Sequence, residues 1–162
     1  MTTKIKQHVL LFVFIFFLFF FEITGPKMNI SSFDDLLQAA RQQAEPQRLL
    51  FVFVSVDLPQ DSTPAQRENY LAGHGGALAP VMCLDRTLQE LRSFSALVDE
   101  SAQFGHNWRL VFVAAMAGSA GLAPTSEAAE KPLQGMVEAI KAGHFGGYIP
   151  FDREGHAVQL DH

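Results

Sequence analysis

Three uninterrupted apolar runs constrain this chain more than any other feature: LLFVFVSV at residues 49–56, LAPVMCLD at 78–85 and WRLVFVAAMAG at 108–118. Runs of this kind, apolar and β-branched without polar alternation, belong to strands covered on both faces of a sheet. Segments with helical periodicity separate them, and strands alternating with amphipathic helices imply parallel pairing through crossover helices. The expectation is therefore an α/β fold: a mostly parallel sheet of three apolar strands with flanking helices, in two or three layers. A C-terminal β-hairpin completes it, with YIPF and HAVQL on either side of DREG, Asp152 to Gly155, a turn-forming sequence. Pro150 places the first arm of that hairpin at an edge or a bulge, because it cannot donate to a ladder.

The helices are marked by their caps. Ser31 or Ser32 can cap the first, with Asp34 and Asp35 in the first turn, where the positive end of the helix dipole favours them. Its apolar face is Phe33, Leu36, Leu37 and Ala40, and Glu45–Pro46 ends it. Thr63, Pro64 and Gln66 form the start of a short second helix and Gly73 its stop. TLQE, Thr87 to Glu90, is a capping box that predicts a third helix with Leu88, Leu91, Phe94 or Ser95, and Val98 in its stripe. The last helix carries Leu133, Met136, Val137 and Ile140 at i, i+3, i+4 and i+7, and Gly143 ends it.

A different composition precedes this body. From Val9 to Phe21 no polar side chain occurs, and Glu22 then interrupts the run. A membrane-spanning helix needs about 20 apolar residues, so the segment is short for one. Lys4 and Lys6 precede it as in a signal peptide, but EITGPK offers no small-residue cleavage site. A helix cap follows almost directly on Met28. The division expected is a hydrophobic N-terminal extension at 1–27, upstream of the functional protein, and a single α/β domain at 28–162. The alternatives for the extension are an anchor, with the body outside the cytoplasm, or a signal.

Residues 28–162 suffice for one domain with a substantial core. They hold nine basic and sixteen acidic residues, a net charge of −7, and the basic residues are scattered singly. Nucleic acid is thereby excluded as a partner, since phosphate backbones require clustered Lys and Arg. Cys83 is the one cysteine of the 162-residue chain, so neither an internal disulfide nor a CxxC motif exists. That usage fits a cytoplasmic protein. Within an apolar strand the thiol would serve as a small hydrophobe.

In an open α/β sheet, ligands bind beyond the carboxyl ends of the strands. The residues there are Asp57, Asp85, Gly118 and Ser119. Two converging carboxylates could hold a divalent cation, with Ser119 and the amides of GSAG facing a phosphate. Against this, Asp85 precedes the predicted third helix, where an acid stabilises the N-terminus, and Asp57 lies in a turn that Asp favours. GSAG matches neither the dinucleotide fingerprint nor the phosphate loop. His74, in the glycine-rich loop AGHGGALAP, is a further candidate at a ligand edge; His106, His144 and His156 also abut glycine. No two histidines have metal-ligand spacing, so neither a metal nor a cofactor is implied.

SSFDDLLQAARQQ, PQRLLFVFV, GGALAPVMCLD, PLQGMVEAIKAG and IPFDREGHAVQL, spread in order over the body, resemble a family of short proteobacterial proteins labelled "ribonucleotide reductase subunit alpha". Reduction of ribonucleotides needs a thiyl-forming cysteine and a reducing pair, so the single Cys83 excludes the chemistry that this label names. The expected function is a non-catalytic α/β module that binds a partner protein or small ligand, with a membrane as partner only if residues 1–27 are retained. The alternative is a small metal-assisted phosphoryl-transfer or nucleotide-processing enzyme using Asp57 and Asp85.

Overall fold

The computed structural model describes residues 29–160. The expected boundary at 27/28 and the hydrophobic extension lie outside them. The order of elements is α1 (Phe33–Arg41), β1 (Gln47–Asp57), α2 (Pro64–Leu71), β2 (Ala77–Thr87), α3 (Phe94–Ala102), β3 (Leu110–Ala117), α4 (Ser126–Lys141) and β4 (Ile149–Phe151). Among the described residues no helix is long and apolar enough to cross a membrane.

The sheet has four strands in the order β2-β1-β3-β4, and every neighbouring pair is antiparallel. This corrects the expected parallel sheet of three strands. The reason lies in α2, which buries no residue and so covers no face of the sheet. It is an excursion within a long β1–β2 hairpin, held to the strand end by the Tyr70 hydroxyl donating to the carbonyl of Val56 at 3.1 Å. Among the described strands, β2 and β3, which flank β1 and run in the same direction, are the pair joined by a parallel crossover, through α3. A central strand with helices on both faces is apolar throughout whichever way its neighbours run, which is why its composition is compatible with either pairing.

Alternation along β1 divides the interior. Leu49, Phe51 and Phe53 face α1 and α3, with Val111, Val113 and Trp108 beside them. Leu50, Val52 and Val54 face α4, where Leu133, Met136 and Ile140 close the second layer. Phe33 anchors the first layer, its ring centroid 4.7 Å from that of Phe94 and 5.4 Å from that of Phe151. Trp108 is buried with its indole N–H donating to Ser101 Oγ at 2.8 Å, so its polar atom is satisfied. The Arg153 guanidinium lies over the ring at 4.6 Å from the centroid.

Two local departures have identifiable causes. The capping box at Thr87 forms, with the Thr87 amide donating to Glu90 Oε2 at 2.8 Å and the Glu90 amide to Thr87 Oγ1 at 3.3 Å. It closes one turn rather than opening a helix, because Ser93, three residues after Glu90, caps α3 through the Ala96 amide at 3.1 Å. The chain bends between them, and Leu91, Phe94 and Leu97 all reach the core. At the C-terminus the Asp152–Gly155 turn is present, but its second arm contributes isolated bridges to Phe151 and Ser32 and no strand. Pro150 lies on β4, at an edge of the sheet. Pro80 lies on the opposite edge strand, at the irregularity between Phe53 and Val54, where a missing donor is tolerated.

Candidate functional site

The antiparallel register sends the predicted site residues to opposite ends of the sheet. Asp57 pairs with Ala77, and Asp85 with Leu50. Seven positions of β1 separate them, on the order of 23 Å at about 3.3 Å per residue. The two carboxylates therefore do not converge.

Asp57 and His74 share one end. The Ser55 hydroxyl donates to Asp57 Oδ2 at 3.0 Å. His74 is exposed, and its amide donates to the Asn69 carbonyl at 2.8 Å, closing the end of α2. Gly76 adopts φ +108°, and a Cβ there would stand 2.7 Å from Val56 Cγ1, so this loop is fixed by packing against the strand end. A shallow cavity of about 230 Å³ opens beside it, lined by Asp61, Ser62 and Gln66 among others.

Asp85, Gly118 and Ser119 lie at the other end. Asp85 is a residue of β2 and does not cap the helix that follows it. It forms an ion pair with Arg48 of β1, and the Ser126 hydroxyl, at the first position of α4, donates to its two oxygens at 2.8 and 2.9 Å. Arg48 also donates through Nε to the Pro124 carbonyl and lies 3.6 Å from Glu90. Thr87 lowers the pKa of Glu90, its amide holding the carboxylate in the ionised form. The network joins β1, β2 and the start of α4. It consumes the acid that was a candidate ligand.

GSAG is likewise occupied by the fold. The Gly118 amide donates to the Pro46 carbonyl at 2.9 Å, and Ser119 and Leu122 exchange amide bonds at 3.0 Å around Ala120 and Gly121. Those two residues have φ of 51° and 75°, the pattern of a tight hairpin turn. The Gly121 amide donates to Glu45 Oε2 at 2.8 Å. These amides are therefore spoken for within the protein rather than aimed at a phosphate. Cys83 is exposed, contrary to its expected place in the core. It lies on the edge strand β2, in register with Val52.

Between the end of α1, the first residues of β1, Leu88 and the Leu122 turn lies a cleft of about 450 Å³. Gln47 lines it and is only 1% exposed. Its Nε2 donates to the Glu45 carbonyl at 2.7 Å, while its Oε1 is buried without a donor from the described residues. Such atoms are uncommon and costly in folded proteins. Sequence reasoning missed Gln47 and Arg48. The signal was the dipeptide itself, two long polar side chains directly before the apolar run at 49–56. Among the described residues no three His, Cys, Asp or Glu side chains cluster at metal-binding distance.

No family model matches the chain, and neither a curated protein nor a solved structure does.

Proposed function

We propose that this chain is a non-catalytic binding module and that the cleft at the α1–β1 junction is where it binds. One observation carries the reading: the carbonyl oxygen of the Gln47 side chain, on a residue that lines the cleft, is buried without a donor among the described residues, which a bound partner could supply. The acids at this end of the sheet favour binding over catalysis, because Asp85 is committed to Arg48 and Ser126 and Glu45 to the Gly121 amide. Membership of the proteobacterial family named above and a cytoplasmic location belong to the same proposal.

The test is an amide-resolved NMR screen of small fragments against the whole chain and against Ala44→Phe. Ala44 is exposed at the cleft, so the larger ring obstructs the opening without disturbing the core. Fragments that shift residues 40–47, 87–89 and 121–123 in the parent but not in the variant support the reading. A screen in which every hit maps elsewhere overturns it.

A further inference from the structure

We infer that the cleft accepts a primary ammonium group on a short aliphatic stem, with Gln47 Oε1 as its principal acceptor. This rests on the binding role proposed above and adds the chemical class of ligand.

The polarity of the cleft points to a donor carrying positive charge. Gln47 lines it and keeps a buried acceptor, Oε1, without a donor among the described residues. Glu45 also lines the cleft, with one oxygen of its carboxylate held by the Gly121 amide. The C-terminal end of α1, at Ala40 and Arg41, forms one wall, and that end of a helix is the negative pole of its dipole. All three favour a cation with N–H groups over an anion. Leu88, Leu122, Ala40 and Ala44 supply apolar surface for the carbon stem, and Leu122 is 73% exposed, available to be covered. The positive side chain at the rim, Arg41, is exposed and forms no ion pair among the described residues. In water its repulsion of a bound ammonium is screened, and it can meet a carboxylate attached to the same ligand.

The experiment titrates the whole chain, followed by NMR, with leucinamide, with N-acetyl-leucinamide and with a leucine-initiated tripeptide amide. Leucinamide should saturate with shifts at the Gln47 side-chain amide, and the acetylated compound should not. Equal or tighter binding of the tripeptide identifies a polypeptide N-terminus as the source of the ammonium; its exclusion identifies a free amine. Gln47→Met, which keeps the length and removes the acceptor, should weaken leucinamide by about tenfold or more, as loss of a charge-assisted hydrogen bond predicts. Gln47→Glu should tighten it. Ala44→Phe, which alters only the rim, should abolish binding even if neither Gln47 variant folds. Equal binding of the acetylated compound at the same residues overturns the ammonium class and leaves the cleft as a binding site. If no probe shifts the cleft and Gln47→Met raises stability, both readings fall.

Discussion

Arg48 and Asp85 form an ion pair across the β1–β2 ladder with side chains only 10% and 13% exposed, and the Ser126 hydroxyl completes the shell of the carboxylate. An acid at an exposed helix N-terminus would contribute about 0.3 to 1 kcal/mol. A buried pair behaves differently, because removing one partner leaves the other charge desolvated. Asp85→Ala should therefore cost about 3 kcal/mol or more, read as a fall in the denaturant midpoint. Arg48→Met combined with Asp85→Leu should recover most of that loss, since neither charge is then stranded. A midpoint for Asp85→Ala within the range of an exposed acid would contradict the burial of the pair.

Three glycines separate space from backbone conformation. A Cβ on Gly118 would stand 1.9 Å from the Leu122 carbonyl oxygen, so Gly118→Ala must push the 119–122 turn off the sheet, at a cost of about 2 to 3 kcal/mol. Gly121 has open space but φ +75°, and alanine there should cost about 1 to 2 kcal/mol through backbone strain alone. Gly135 lies in α4, exposed, with neither constraint. Gly135→Ala should stabilise by about 0.5 to 1 kcal/mol. Thermal melts of the three variants give the order directly.

Acid should destabilise the fold through two capping boxes. The Ser31 hydroxyl and amide, followed by those of Ser32, hold the Asp35 carboxyl below its ordinary 3.8, and the Thr87 amide holds Glu90 below its ordinary 4.5. Both groups bind protons more weakly folded than unfolded, so the stability they add is complete above those ordinary values. It is lost as pH falls through the lowered ones. Denaturant midpoints at pH 7 and pH 3 should fall less for the double variant Asp35→Asn, Glu90→Gln than for the parent. An equal fall would assign acid sensitivity to other carboxylates.

Cys83, exposed on an edge strand, should react completely with a thiol reagent in the native state. Cys83→Ser should move the denaturant midpoint by no more than about 0.5 kcal/mol equivalent. Purified protein supplied with a dithiol reductant and a radical-generating subunit should form no deoxynucleotide, since one thiol cannot both carry a radical and supply a reducing pair. Slow or incomplete labelling would return the thiol to the interior. Deoxynucleotide formation abolished by Cys83→Ser would overturn the non-catalytic reading.

What could be read in advance was whatever depends on neighbours in sequence. The caps at Ser32, Thr63 and Thr87 bond as their spacing predicts, and the stripe of Leu133, Met136 and Ile140 is the buried face of α4. Strand direction depends on what a connection covers, and the clue was weak: PAQRENYL has no apolar stripe, so α2 could not roof a sheet. The candidate site failed with it, because reversing β2 moves Asp85 to the end of the sheet opposite Asp57. Gln47 and Arg48 were legible only as an oddity, since burial of a side chain is set by elements that arrive far later in the chain.

The central position of β1 has a consequence for synthesis. Among the described strands it is the first to leave the ribosome, yet it ends in the middle of the sheet, with its second neighbour β3 and its second covering helix α4 made much later. At about 5 to 20 residues per second, the nascent β1–β2 hairpin spends seconds with one hydrogen-bonding edge of LLFVFV open and one apolar face bare. A short β-prone segment without charge or proline is what intermolecular pairing selects. Crowded nascent chains are thus the state in which this protein is most exposed to aggregation, and the demand for a holding chaperone should end only when α4 has been made.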